Sequence, residues 1–234
     1  MSVIPAIIPA RGGSVRLPGK NLMEIDGRSL IQIAIEAAAP VIGLDNIYVS
    51  TDHEPTKAEA RRHGAGVIDR PEHLSGSTAT AKAAALHALD ILGNGYDRFV
   101  YLQPTSPLRL TQDIRACVDL FETVRCHTVV SVTESEVTPG RFWAKRKEIM
   151  EPYFEAADPF KRRQEQEKAY VPNGAVYVCD RESFLASEKS SFLMDPTYAY
   201  EMPHHRSIDI DTDFDLTLAR VWMEKALADE GTDA

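Results

Sequence analysis

Three cysteines in 234 residues are too few, and Cys117, Cys126 and Cys179 too widely spaced, for the close ligand pairs of a structural zinc site. An odd number also fits no disulfide framework, so a reducing compartment is expected. Basic residues are outnumbered, 26 Lys and Arg against 35 Asp and Glu, giving a net charge of -9. That balance argues against a broad basic face for nucleic acid, because counterion release needs many clustered cations. No apolar run approaches the length of a membrane span. The N-terminal MSVIPAIIPARGG shows neither a basic leader nor a small-residue cleavage pattern. We expect a cytoplasmic protein with no membrane or nucleic-acid partner, whose anionic ligands are small and held by a local basic site.

What is present is ordinary globular material, 44% hydrophobic and 26% charged, enough for one sizeable core over residues 1–234. Val3 to Ile8 is a brief β-branched run ending at Pro9, which suits a buried strand feeding a loop. Leu30, Ile31, Ala34, Ile35 and Ala38 recur at helical spacing. Asn46 to Thr51 reads as a strand, Glu54 to His63 and Ala79 to Leu92 as helices, and Phe99 to Gln103 as another strand. Such alternation predicts an α/β fold with a mostly parallel sheet covered on both faces, and ligands near the carboxyl ends of its strands. Three loops at those ends carry the unusual residues: Ala10 to Asn21, Thr51 to His53, and Pro104 to Arg109.

From Glu134 to Pro172 the alternation stops. Arg141, Lys145, Arg146, Lys147, Lys161, Arg162 and Arg163 mix there with acids, aromatics and prolines, over a stretch too long for a plain loop. We expect residues 134–172 to form an excursion that docks on a second copy, burying Phe142, Trp143, Tyr153, Phe154 and Phe160 in a homodimer. Asn173 to Cys179 resumes a strand. A last strand is expected through Ile210, followed by an amphipathic helix from about Asp213, with Thr212 and Asp215 in a capping-box arrangement.

Two places carry chemistry. In the loop from Pro9 to Asn21, Gly12 and Gly13 let backbone N–H groups turn toward an anion, while Arg11, Arg16 and Lys20 gather three cations. A phosphate chain needs both features. The spacing fits neither a Walker A loop nor the dinucleotide GxGxxG pattern. In Asp209-Ile210-Asp211, the acids alternate with an apolar residue, so on extended backbone both carboxylates face one way. Such a pair suits Mg²⁺, which takes a few carboxylates plus phosphate oxygens and water. Asp213 and Asp215 instead favour the start of the following helix. His204 and His205, adjacent on extended chain, are poorly placed for joint metal ligation.

The first loop, together with Val49-Ser50-Thr51-Asp52, Arg70-Pro71-Glu72-His73-Leu74, Gln103-Pro104-Thr105-Ser106-Pro107-Leu108-Arg109, Pro172-Asn173-Gly174-Ala175-Val176-Tyr177 and Ser207-Ile208-Asp209-Ile210-Asp211-Thr212, resembles the CMP-sialic acid synthetase family. That family has relatives that activate pseudaminic, legionaminic and 3-deoxy-manno-octulosonic acids. The resemblance spans almost the whole chain. It implies a Rossmann-like nucleotide-diphospho-sugar transferase fold. The implied activity moves CMP from CTP to a nine-carbon 2-keto-3-deoxy acid sugar with Mg²⁺ as cofactor.

Residue by residue, the resemblance implies that Ala10, Arg11, Gly12, Gly13, Ser14, Asn21 and Arg70 bind the nucleotide. Arg11, Arg16, Lys20 and Asp211 would serve catalysis, and Asp209 and Asp211 would hold the metal. Gln103, Thr105, Ser106, Arg163, Tyr177 and Phe192 would contact the sugar, Arg163 by crossing from a neighbouring subunit. Without the resemblance, Arg70 reads as a partner of Glu72, and Tyr177 and Phe192 as core aromatics. Val15 stands where sialic-type enzymes usually place Lys, and Arg16 matches the octulosonate branch. Val171 replaces an Arg common in sialic enzymes. Octulosonate activation and a catalytically silent nucleotide-binding homologue therefore stand as alternatives. The general base is open between Asp211 and a metal-bound hydroxide.

Overall fold

The computed structural model describes residues 3–14, 16–155 and 157–232, with side chains through residue 225. In chain order its elements are β1 (Ala6–Pro9), β2 (Glu24–Ile25), β3 (Arg28–Ser29), α1 (Leu30–Ile42), β4 (Ile47–Thr51), α2 (Glu54–Arg62), β5 (Gly66–Asp69), α3 (Ala81–Leu92) and β6 (Arg98–Tyr101). There follow α4 (Thr111–Thr123), β7 (Thr128–Glu134), β8 (Trp143–Arg146), β9 (Ile149–Pro152), β10 (Tyr170–Asp180), α5 (Arg181–Ala186), β11 (Thr197–Glu201) and α6 (Asp213–Thr232).

Seven strands form one sheet in the order β11-β7-β10-β6-β1-β4-β5. β10 alone runs antiparallel to its neighbours in that sheet, and the other strand pairs are parallel. The mostly parallel α/β architecture predicted from alternation is therefore present. β1 shows why both faces are covered. Ala6 and Ile8 face a cluster built with Ile31, Ala34, Ile35 and Ala38 of α1 and Ile114 and Cys117 of α4. Ile7 faces the opposite cluster, with Ala85, Ala88 and Leu89 of α3 and Phe184 of α5. All three strand residues are fully buried; at ~25 cal/mol per Å² of apolar surface, each larger side chain contributes about 1.5–3 kcal/mol. α1 begins where Ser29 Oγ accepts a hydrogen bond from the Gln32 amide at 3.1 Å and ends at Gly43, whose φ is 83°, a start and stop of the usual capping kind.

From β1 the chain winds outward through β4 and β5. It then returns beneath α3 to place β6 on the other side of β1. The crevice at the carboxyl ends of β1 and β6 is the position where open α/β sheets bind ligands.

The expected last strand is not where the alternation suggested. Thr197–Glu201 makes that strand, alongside β7, whereas Ser207–Asp211 runs without belonging to a strand. Its alternation survives, with Ile210 fully buried and Asp209 and Asp211 lining one cleft. His204 and His205 sit in a 3-10 turn, and the His205 ring stacks 4.9 Å from Trp222. Cys117 and Cys179 are buried thiols, and none of the three cysteines is paired. Within residues 134–172, β8 and β9 form a two-stranded antiparallel hairpin. No helix among the described residues is long and apolar enough to cross a membrane.

Candidate functional site

The loop after β1 is fixed by its own backbone before any ligand is considered. The Ala10 amide donates to Ser50 O at 2.9 Å, and the Gly12 amide donates to the Asp52 carboxylate at 2.9 Å. Asn21 Nδ2 donates to Arg11 O at 3.0 Å. Gly12 is required by close approach, since a Cβ there would stand 2.8 Å from the Cβ of His53. Leu17 anchors the loop's middle among Ile25, Leu30 and Ile210. So held, the loop sends Arg11, Ser14 and Lys20 into the cleft. Arg16 stands at its rim with a side chain 70% exposed. Arg11 also spans the opening to donate to Gly76 O. Val15, the position of the missing lysine, lies outside the described residues.

The acid segment meets this loop directly. Lys20 Nζ donates to Ile210 O at 2.8 Å and to the Asp211 carboxylate at 3.0 Å. Arg16 reaches the other oxygen of Asp211 at 2.8 Å. Asp209 is exposed to the cleft, and the protein packed beside it strips part of the hydration of its carboxyl. That desolvation, with the nearby Asp211 charge adding to it, raises its carboxyl above the usual aspartate range against a hydrogen bond from Thr105. Asp215 caps the next helix: its carboxylate accepts from the Asp211 and Thr212 amides at 3.1 and 2.8 Å, and Thr212 Oγ1 accepts from the Asp215 amide at 3.3 Å.

Two carboxylates thus share a cleft with Arg11, Lys20 and Arg70, and Asp211 pairs with Lys20 and with Arg16 at the rim. Among the described residues no group of three or more His, Cys, Asp or Glu side chains could hold a metal. A donor set of two carboxylates in an open cleft fits a hard divalent ion that completes its shell with ligand phosphates and water, as Mg²⁺ does.

Arg70 lies beneath the loop, buried, with Nε donating to Ser50 Oγ at 3.1 Å and Nη2 to Ser50 O at 2.7 Å. Burial lowers its pKa from the ordinary arginine value. It lines the cleft and bonds the end of β4 rather than Glu72. Gln103 and Thr105 also line the cleft. Gln103 packs on Gly174, whose φ is +76° and where a Cβ would fall 2.2 Å from Gln103 Oε1.

The remaining predicted sugar contacts lie elsewhere within this chain. Ser106 is fully buried and its hydroxyl donates to Asn173 O at 3.2 Å; the backbone that aims Thr105 into the cleft turns its neighbour away. Phe192 is 7% exposed and packs 4.5 Å from the ring of Tyr101 and 5.3 Å from that of Tyr177. Tyr101 lines the cleft, so Tyr177 and Phe192 support its aromatic floor. Arg163 lies on the excursion, 3.5 Å from Glu134, in a separate hollow with Ser135 and Thr138. Arg109, from the same motif as Gln103, turns inward and donates to Gln103 O at 3.1 Å and Ala175 O at 2.7 Å; burial lowers its pKa to about 10.

Sequence reasoning did not single out Thr80 and Ala81 at the start of α3, or Tyr101, all of which line the cleft. Thr80 caps α3 by accepting from the Ala83 amide at 3.1 Å, and this helix N-terminus faces the crevice with its favourable potential for anions. The Thr–Ala repeat before an alanine-rich helix was the available signal.

A protein-family model described as Cytidylyltransferase matches residues 5–219. The N-acylneuraminate cytidylyltransferase of Streptococcus agalactiae serotype III (strain NEM316) is 32% identical over 228 residues, covering 96% of this chain and 54% of that protein. The chain thus spans about half the length of that relative. The CMP-N,N'-diacetyllegionaminic acid synthase of Legionella pneumophila (strain Philadelphia 1) is 32% identical over 233 residues, with 94% of this chain and 96% of that one covered. Among solved structures, CMP:2-keto-3-deoxy-manno-octonic acid synthetase complexed with CTP superposes with a TM-score of 0.71 at 19% identity, over 95% of this chain and 99% of that one. This last likeness speaks for the fold.

Proposed function

Because the chain belongs to the cytidylyltransferase family, we propose that it transfers CMP from CTP to the anomeric hydroxyl of a nonulosonic acid, releasing pyrophosphate. The observation that carries this reading is the meeting of Arg16 and Lys20 with Asp211 in the crevice at the ends of β1 and β6. The sugar hydroxyl oxygen attacks the α-phosphorus and releases its proton to solvent, the bond from that phosphorus to the bridging oxygen breaks, and pyrophosphate departs. Such a displacement asks for positioning and charge neutralisation more than for covalent chemistry.

The loop amide of Gly13 and the cations of Arg11, Arg16 and Lys20 would carry the β- and γ-phosphates. Arg70, beneath the loop, would meet the nucleoside side. Gln103 and Thr105 would orient the sugar from the opposite wall. Asp209 and Asp211 would hold Mg²⁺, which when bound supplies charge neutralisation at the phosphates. Asp211 already accepts from two cations, so we assign it to charge balance and metal holding rather than to proton abstraction.

We also propose a homodimer through residues 134–172. Phe160 is 94%, Tyr153 69% and Ile149 65% exposed there, a cost in water that a twin would remove. In that assembly Arg163 would serve the neighbouring cleft. The three unpaired thiols support a reducing, cytoplasmic setting.

The test is pyrophosphate release from CTP and Mg²⁺ against neuraminic, legionaminic, pseudaminic and octulosonic acids. Turnover with a nine-carbon acid is expected. Preference for the eight-carbon acid would overturn the substrate class, and nucleotide binding without release across the panel would favour a silent homologue.

A further inference from the structure

The acids of the cleft sit on Ser207–Asp211, a stretch that belongs to no strand. On extended backbone a slip of one residue exchanges the two faces. Here that slip would turn Ile210 into the cleft and both aspartates away from it. Burial of Ile210 among Leu17, Ile25 and Leu30 opposes that slip, and contacts upstream of the cleft can act with it to set the register.

Two buried contacts stand just upstream. Asp113, on the first turn of α4, is fully buried. Its carboxylate accepts from the Leu110 amide at 2.8 Å, from the Tyr200 hydroxyl at 3.1 Å, and from the Arg206 guanidinium. Asn173, at the irregularity between Pro172 and Tyr177 in β10, is 5% exposed. Its Nδ2 donates to Ser207 Oγ at 2.9 Å. Its Oδ1 accepts from Ser131 Oγ at 2.6 Å and from the Ala175 amide at 3.1 Å. Successive residues, Arg206 and Ser207, are thus gripped from two different elements. Downstream, the Ile210 amide donates to Thr105 O at 2.8 Å. A buried ion pair is a weak device for stability compared with apolar packing, and its best-attested use is to fix one arrangement.

We propose that Asp113 and Asn173 are positioning residues, which act through Arg206 and Ser207 to set the register in which Asp209 and Asp211 face the cleft. The inference rests on the reading that those aspartates hold a metal–nucleotide complex. Neither residue touches the reacting groups; the pair determines where the carboxylates stand.

The test uses Ser207→Ala and Arg206→Lys, with Ser207→Thr as the rescue that keeps a hydroxyl. Circular dichroism and a melting curve establish that each variant is folded. Free Mn²⁺ is then measured by electron paramagnetic resonance with the CTP-loaded chain. Loss of one net hydrogen bond, about 1 kcal/mol, corresponds to roughly fivefold, so half-saturating Mn²⁺ rises about fivefold in the first two variants. It returns to the wild-type value in Ser207→Thr, while CTP binding without metal moves less than twofold. A metal-free readout accompanies it: hydrogen exchange at the Ile210 amide quickens in Ser207→Ala while Val100 keeps its rate.

Folded variants that bind Mn²⁺ within twofold of wild type and exchange Ile210 at the wild-type rate overturn the proposal. So does an equal loss of metal-free CTP binding. A wild-type chain that binds Mn²⁺ and CTP but releases pyrophosphate with no acid overturns the proposed reaction and leaves this inference standing.

Discussion

Arg16 and Asp211, 195 positions apart in the chain, approach to 2.8 Å at the mouth of the cleft. With side chains 70% and 37% exposed, the pair contributes about 0–1 kcal/mol to folding, so its consequence lies in binding. In the proposed reaction the cation would turn to phosphate and the carboxylate to the metal when both are bound. Arg16→Gln should therefore shift the melting temperature little but weaken CTP binding about tenfold, the loss of one charge-assisted contact. Calorimetric titration beside a melting curve checks this; unchanged affinity would remove Arg16 from the phosphate site.

Asp209 gives a signed pH prediction. Its carboxyl is raised, first by desolvation and then by Asp211, so the folded state holds its proton more tightly than the unfolded chain does. The stability it contributes is full below the ordinary aspartate range and is lost as pH rises through the raised folded value. Asp209→Asn has no such loss. Without metal, the melting temperature of the variant minus that of wild type should grow from acid toward neutral pH. A gap that shrinks over that window would contradict the assignment.

The fold was legible where a pattern closes on itself locally. The Ile and Ala spacing of α1 with its Ser29 cap, and the apolar run of β1, suffice without knowledge of distant partners. β5 escaped because Gly66–Asp69 offers only Val67 and Ile68 between a glycine and a charge. α4 escaped because its buried face carries Asp113, a residue that sequence reasoning assigns to the surface and that is explained by Arg206 and Tyr200 far along the chain. The strand expected through Ile210 shows the same limit: alternation fixes which way side chains point, whereas pairing depends on what lies alongside. Arg11, Lys20, Asp209 and Asp211 could be named as neighbours because the spacing of glycine, cation and acid singled them out, and all four line one cleft. Ser106 could not be told from Thr105, since its direction is set by Asn173, 67 residues away.

Gly174 is where backbone and cleft wall are coupled. Its φ of +76° disfavours any side chain, and an added Cβ would meet Gln103 Oε1 at 2.2 Å. Gly174→Ala should cost about 1–3 kcal/mol through strain and displace Gln103. The KM for the sugar acid would rise while CTP binding holds. Gly95, where an added Cβ meets nothing within 4 Å, is the control: Gly95→Ala should change stability by less than about 0.5 kcal/mol. Denaturant melts and steady-state kinetics on both variants decide the matter.

Arg163 is bound to Glu134 of its own chain at 3.5 Å, in a hollow separate from the cleft, so a role toward the sugar requires a second copy. Complementation distinguishes the two arrangements. Arg163→Ala and Asp211→Ala should each be inactive as purified homodimers. In a mixed dimer, one cleft takes Asp211 from one chain and Arg163 from the other, both intact. Random re-association makes half the dimers mixed, each with one whole site, so activity should return to about a quarter of wild type. If Arg163 serves its own chain, every cleft in the mixture is defective and no activity returns. Ile149→Glu combined with Phe160→Ser, placed on the exposed arm, should shift the sedimentation of the wild-type sequence from dimer to monomer and abolish the rescue as well. A monomeric wild-type chain at micromolar concentration would end the argument for the arm as an interface, because Phe160 and Ile149 would then remain in water without a twin to cover them.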